Sequence, residues 1–558
     1  MIKELDLSGI EDEKARAIIG QLLNWIEELS SELREARAEN QRLRDENNRL
    51  KGEQGKPKVK GNTPKPPEGD HSSEKERRIA RPRHKRSKKA EIRIDREETL
   101  VIERENLPED AEFKGYADVI VQDIRLGTDN VLFHKAKYYS AKMQQSYQAE
   151  LPSGYHGQFG PGIQSLCLTL YYGMQASEPK ILEFFEHVGI QISEGEISNW
   201  LIQEQARFHA EKEAVCEAGL ASSPYQQTDD TLTRVDGQNQ HCHVVCNPVY
   251  TAYHTRPSKD RLTVLDVLRN GRQRLFRIND EALGYLKHQL HWSKVAWYRL
   301  QGWVAEESLD EATFLNRLET ELPGLGQQHR KLLLDAAAIA AYHAEVGCPV
   351  VRVLVCDDAP QFNWLTEQMM QCWVHEGRHY KKLSPVVALH RQQVDEFLKR
   401  FWDYYDQLLA YRKDPSPAEH TRLLAEFDTL FDQHTGYAAL DQRIAKTKVK
   451  KDTLLLVLTH PELPLHNNAA ELAVRQRVRK RDVSFGPRTQ AGVRAWDTFA
   501  TLAATTKKLG VSFYHYIQDR ISATNQIPPL ADLVTKAAKE LNLGWSFSPA
   551  GCFPDLLR

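Results

Sequence analysis

The sequence predicts an α/β protein whose mixed sheet carries large helical additions, and three observations point there. First, YQQTDDTLTRV at 225–235 and QHCHVVCNPVYTAYHTRP at 240–257 are β-branched and aromatic with turn residues between them, and read as antiparallel strands. Second, PVVRVLVCDDAPQF at 349–362 holds a continuous apolar run that suits a central strand covered on both faces. Third, stretches of helical periodicity lie before, between and after these strands. A hydrophobic share of 41% with 27% charged residues belongs to a folding chain, which excludes wholesale disorder, collagen-like repeats and a disulfide scaffold. At 558 residues the chain has room for roughly two to four domains.

The first element is a heptad. Ile19, Leu22, Ile26, Leu29, Leu33, Ala36, Asn40, Leu43, Asn47 and Leu50 follow an unbroken alternation of three and four residues. That period keeps one apolar seam facing a partner helix, and the seam asparagines Asn40 and Asn47 favour a parallel, in-register homodimer or a higher oligomer. Packing of the same helix on its own chain is the other way to cover its apolar face. The segment KGEQGKPKVKGNTPKPPEGDHSSEKE at 51–76 follows, rich in Pro, Gly, Lys and Ser, and has almost nothing to bury. A basic cluster comes next: Lys75, Arg77, Arg78, Arg81, Arg83, Lys85, Arg86, Lys88 and Lys89. Such a density of cations fits either a phosphate-binding arm or a solvated tail. Acidic residues from Glu97 to Glu112 then offset it, so the net charge of -2 is an average over opposed segments and does not exclude a nucleic-acid partner.

Residues 158–210 turn helical. PKILEFFEHV and EGEISNWLIQEQ are joined by GIQIS, the outline of a helix-turn-helix, with Ser193 and Glu196 spaced as a capping box. Plain helical packing explains the pattern equally well. No run of about 18 apolar residues exists, so no membrane span is expected. The acidic start lacks the apolar stretch of a secretory signal, and eight Cys without framework spacing fit a reduced cytoplasmic protein.

The chemistry-bearing residues are acids. Asp229 and Asp230 adjoin inside the first strand, Asp357 and Asp358 end the apolar strand, and Glu471 opens a helix in LPLHNNAAELAVRQRVRKRDVSFG. Each has an ordinary structural explanation: a surface acid near a turn, a helix cap, or a capping box from Asn468 to Glu471. Together, carboxylates at two strand sites and one helix start offer the oxygen ligands that two Mg2+ ions take, and such a pair clamps the oxygens of an in-line phosphoryl transfer. Between 440 and 494 stand twelve Lys or Arg against five acids, with Arg475 and Arg479 on the face of Glu471, placed to hold phosphate. Two metal lookalikes carry less. His241, Cys242, His243 and Cys246 alternate through a strand, and Cys372, His375 and His379 share helical spacing without a fourth ligand, so no zinc is expected.

TDDT at 228–231, LVCDDAPQF at 354–362, CWVHEGRHY at 372–380 and above all LHNNAAELAVR at 465–475 resemble the transposases of the insertion sequence sixty-six (IS66) family. The resemblance implies a ribonuclease-H-like core with helical insertions, preceded by an all-α DNA-binding region and an N-terminal coiled coil. It implies a DDE transposase that cleaves at transposon ends and transfers the freed strand into target DNA. By position Asp229, Asp357 and Glu471 would be catalytic and hold two Mg2+, for which Mn2+ would substitute; Asp230 and Asp358 stay open as adjacent alternatives. Double-stranded DNA, as terminal inverted repeats and as target, would be the partner, along with accessory proteins encoded by the element, in a bacterial cytoplasm.

The expected organisation is a coiled-coil helix at 12–52, a disordered linker and basic arm at 53–96, and a small strand segment with the helical DNA-binding region at 97–220. A catalytic core follows at 221–520, interrupted at about 262–348 and 381–455, then a C-terminal extension at 521–558. The second interruption ends in Lys448, Lys450 and Lys451, expected on DNA. Where the family usually carries a Cys-rich zinc segment, ENLPEDAEFKGYADVIV has no Cys. A catalytically inactive or domesticated dimeric DNA-binding protein, or a structure-specific nuclease on the same core, would share most of these features.

Overall fold

A computed structural model of the chain describes residues 10, 12–51 and 92–544 apart from positions 109, 125, 156, 204 and 306. The linker and the basic cluster from Lys75 to Lys89 lie outside the described residues, as does the end of the C-terminal extension.

The centre is a five-stranded sheet: β1 (Tyr225–Val235), β2 (Gln238–Asn247), β3 (Tyr250–Arg256), β4 (Val353–Cys356) and β5 (Gln368–Gln371). Its order is β3-β2-β1-β4-β5. The first three strands form an antiparallel meander, and β4 joins the other side of β1 in parallel. The alternating segments thus become the meander, and the run VLVC is wholly buried between its neighbours. This mixed sheet is consistent with a ribonuclease-H-like core.

Nine helices matter here, taken along the chain: α1 (Glu13–Leu50), α2 (Glu178–His187), α3 (Glu194–Ile202), α4 (Ala206–Ala221), α5 (Gln327–His343), α6 (Trp373–Lys381), α7 (Ala388–Tyr411), α8 (Asn468–Ser484) and α9 (Gln490–Lys508). The Ser193 hydroxyl caps α3 by accepting from the Glu196 N–H at 3.2 Å, as its sequence spacing requires. Ile181, Phe185, Ile197 and Leu201 from α2 and α3 share one buried cluster with Val245, Tyr250, Leu354 and Phe499, so this helix pair is built into the body of the protein. The segment interrupting the core before β4 joins the same cluster through Trp292, Trp303 and Leu333. The second interruption makes its own core, in which Trp373, Phe401, Tyr405 and Phe427 pack beneath Val353, Val355 and Met370.

α1 uses two faces. Leu23 and Glu27 are buried: the Glu27 carboxylate accepts from the Val386 and Val387 N–H groups at 2.8–2.9 Å, at the start of α7. The anion therefore satisfies the unpaired N–H groups of a helix N-terminus. Asn24 adds hydrogen bonds to Gly436 and Ala438. The heptad seam points elsewhere: Leu22, Leu29, Leu33, Leu43 and Leu50 are exposed, while Ile19 and Ile26 are half-buried.

The free edge of β3 is closed by a helix instead of a strand. From α9, Asp497 accepts from the Thr255 N–H at 2.6 Å and its hydroxyl at 2.8 Å, Thr501 from the Tyr253 N–H at 3.0 Å, and Thr505 from the Thr251 N–H at 3.3 Å. Residues four apart lie on one helix face, and alternate strand N–H groups point one way, so the two periods match. The helix satisfies donors that a bare edge would offer to another chain. Asp497 also lies 3.5 Å from the buried Arg477 of α8. Asp497→Ala therefore strands a buried guanidinium as well as the edge donors, and should lower stability in urea unfolding by about 3–5 kcal/mol. Thr501→Val should cost only about 1–3 kcal/mol; equal losses would show that the Arg477 pairing contributes nothing.

Candidate active site

The sheet register brings the first two acids together. Gln227 of β1 pairs with Val355 of β4 in parallel, and two more residues along both strands set Asp229 level with Asp357. Alternation then sorts the neighbours. Asp229 shares its face with Val244, which packs against Ala470 and Ala473 of α8. Asp230 lies on the opposite face, where its carboxylate accepts from the Gln361 amide at 2.9 Å. Asp358 turns away as well, accepting from the Gln371 amide at 2.7 Å and pairing with Lys450.

The third acid arrives through the segment preceding α8. Asn467 is fully buried and its amide donates to the Thr228 carbonyl at 2.6 Å, one residue from Asp229. Gln227 reaches the His466 carbonyl at 2.9 Å, and the Trp373 N–H reaches the Leu465 carbonyl at 3.0 Å. These bonds set the first turn of α8 against β1, which gives the NNAAE segment its physical meaning. A capping box does not form: Asn467, not Asn468, precedes the helix, and no side chain caps it. The Glu471 carboxylate points instead to Arg378 of α6, at 3.0 and 3.3 Å, with the His375 Nδ1 at 3.5 Å and Arg475 at 3.9 Å.

Crowding of these acids is visible in their electrostatics. Burial first, then the charges of Asp357, Glu471 and Asp230, push the Asp229 carboxyl up to about 7. A buried acid among acids favours its neutral form unless a cation joins it. The oxygen donors of Asp229, Asp357 and Glu471 therefore fit a hard divalent cation. Among the described residues, the group of three or more ligand-type side chains whose ligand atoms lie within 4.8 Å of one another is Cys372, His375 and Glu471, which leaves out Asp229 and Asp357. Burial pushes the Cys372 thiol up to about 11, so it stays protonated, and its sulfur accepts from the Asn467 N–H at 3.3 Å. His375 is held below its ordinary value by burial, and its Nε2 faces an Arg378 guanidinium nitrogen at 3.2 Å. Of the other lookalike, Cys242 and Cys246 face α8 while His243 faces away and contacts the Ser258 carbonyl at 3.0 Å.

The basic residues divide. Arg475 is 56% exposed and Arg479 is exposed beyond it on α8. The Lys450 side chain is 14% exposed and pairs with Asp358 and Glu376, a brace between lobes. Lys451 pairs with Asp428 and Lys448 with Asp432. Sequence reasoning missed Arg378 as the partner of Glu471. The signal was present, since His375 and Arg378 stand three apart and share a helix face, but a search for metal ligands draws the eye to His379 instead.

The Transposase IS66 family model matches residues 156–287 and 338–495, just over half of the chain, and takes in all three acids. The chain belongs to the Transposase IS66 family. It is 34% identical over 323 residues to the uncharacterized protein y4jO of Sinorhizobium fredii (strain NBRC 101917 / NGR234), covering 58% of this chain and 99% of that protein. A second protein of that strain, the uncharacterized y4qI, is 22% identical over 194 residues, 33% of this chain and 35% of its own length. Residues 288–337, at the heart of the first interruption, fall outside the family match. Among the described residues no helix is long and apolar enough to cross a membrane.

The raised Asp229 carboxyl sets a sign for pH. Its folded value lies above the ordinary 3.8, so its stabilising effect is full below pH ~4 and is lost as pH rises through about 7. Asp229→Asn should therefore raise the metal-free protein's unfolding free energy by roughly 4 kcal/mol at pH 8 and hardly at pH 4. A gain independent of pH would refute the crowding.

Proposed function

We propose that this protein is a DNA transposase that cuts at the ends of its element and joins the freed strand to target DNA, using Asp229, Asp357 and Glu471. What supports the reading is that the charges of Asp357 and Glu471, from distant parts of the chain, both act on the buried Asp229 near the junction of β1, β4 and α8. Membership of the family supports a divalent-metal phosphoryl transfer at that point. Two Mg2+ ions, or Mn2+ in their place, supply Lewis-acid activation of water and of the leaving oxygen when bound. The chain's own part is to hold the three carboxylates and to keep Glu471 oriented through Arg378. Arg475 and Arg479 line the approach along α8 and contact DNA phosphates, joined by Lys448, Lys451 and the basic cluster Arg77, Arg78, Arg81, Arg83, Lys85, Arg86, Lys88 and Lys89. The exposed seam of α1 pairs two copies, so that two DNA ends can be held at once.

Cleavage and strand transfer on DNA carrying the repeats that flank the gene test this directly. Asp229→Asn, Asp357→Asn and Glu471→Gln should each lower product at least ~100-fold, since each removes a metal ligand that acts in the transition state. Asp230→Asn and Asp358→Asn should remain active. Binding without cutting by the wild type would show an inactive DNA-binding protein, and cutting without joining would show a nuclease. For the oligomer, light scattering should give a dimer or larger for the wild type and a monomer for the double variant Leu29→Lys, Leu33→Lys. A monomeric wild type would refute the pairing.

A further inference from the structure

α8 ends on an aromatic residue that its backbone disfavours. Phe485 stands at the C-cap with φ +59°, in the left-handed region that Gly or Asn occupies cheaply and a bulky side chain does not. Its ring is 87% exposed, so no packing offsets that strain. Nor is the tip a loose end. Gly486, at φ +99°, lets the turn press onto β1: a Cβ there would come within 2.5 Å of the Arg234 carbonyl oxygen. The Asp236 N–H donates to the Pro487 carbonyl at 3.4 Å, and the Arg481 guanidinium donates to the Leu232 carbonyl. Leu232 and Val483 add apolar surface, being 47% and 49% exposed. Arg234, Arg488 and Arg479 are exposed around or behind the tip, against two exposed acids, Asp236 and Asp482. If capping the helix were the only duty of this position, glycine would serve it better.

Position along the helix gives the tip a direction. Phe485 lies fourteen residues beyond Glu471, which at about 1.5 Å per residue is roughly 21 Å, or about six base pairs of duplex. We propose that the Phe485 tip is a DNA wedge: the ring enters the helix of the bound DNA about six base pairs from the reacting phosphate and stacks on an unpaired base, while Arg234 and Arg488 hold the adjoining phosphates. The inference rests on the DNA-transposase reading and deepens it. Stacking on an aromatic face tolerates any base, so the wedge needs no sequence match, whereas the cations beside it answer the charge of DNA.

The test uses the full chain and two probes, a fully paired duplex of arbitrary sequence and the same duplex with a short central mismatch beside a fluorescent base analogue. Wild type should favour the mismatched duplex by ~10-fold and perturb the analogue's fluorescence, because the unstacking cost is already met there. Phe485→Ala should lose that preference and that signal while binding the paired duplex as before, and Phe485→Trp should keep both. Phe485→Gly should raise the thermal midpoint by relieving the backbone yet lose the preference, which separates the wedge from a structural cap. Equal preference in wild type and Phe485→Ala overturns the wedge and leaves the transposase reading standing. Failure of the wild type to bind either duplex sinks the transposase reading itself. Dissociation of the oligomer by Phe485→Ala would overturn the wedge by assigning the tip to a contact between copies.

Discussion

Much of this structure turns on one buried carboxylate. Asp497 of α9 takes the backbone N–H and the hydroxyl of Thr255 on the last strand of the meander, and lies against Arg477 of α8, whose guanidinium is also 4.5 Å from the Trp496 ring. Closing the sheet edge and seating the helix of Glu471 are therefore the same interaction. A buried ion pair stabilises little by itself, because desolvation offsets the attraction. Its value here is specificity: either partner alone would be a costly buried charge, so the two helices are compatible with a single arrangement over the sheet.

That arrangement explains which parts were legible in the sequence. The strands could be read because their side-chain chemistry is local: β-branched runs, turn residues, and a continuous apolar segment for the doubly covered β4. The acids could be named as a set, but which of Asp229 and Asp230 shares the face of Val244 and α8 could not be told without the strand register. The edge closure was hidden, since Asp497, Thr501 and Thr505 at helical spacing look like the solvated side of a helix. Their polarity is satisfied by strand N–H groups far away in sequence. The ion pairs of Lys450 were hidden for the related reason that a charge run carries no label for what it pairs with, and its partners Asp358 and Glu376 are supplied by other elements.

The acidic centre shows the cost of bringing such residues together. Glu471 has Arg378 to offset its charge, whereas Asp229 has only the Asp230 N–H, at 2.8 Å, against burial and the neighbouring acids, and its carboxyl is driven toward the neutral form. The protein meets the difficulty by division of labour between sheet faces: one acid of each adjacent pair is turned inward, and the other is bound by Gln361 or by Lys450 and Gln371. The amide and ammonium partners of the outer acids tie β1 and β4 to the segments around them.

The net charge of -2 hid all of this, because the informative quantity is where each charge is satisfied. α1 makes the same point at the other end of the chain. A heptad read alone describes a helix with one apolar seam and otherwise solvated faces, yet Glu27, an acid on the supposed solvent side, helps to fix the helix to the protein by accepting from the N–H groups of Val386 and Val387 that lead into α7. Because the docking face and the seam are different faces of one helix, covering the seam with a second copy does not require the arm to leave its own chain. A copy held through that seam would be held against the lobe built on α7, and therefore at a set distance from Glu471, instead of at the end of a free tether.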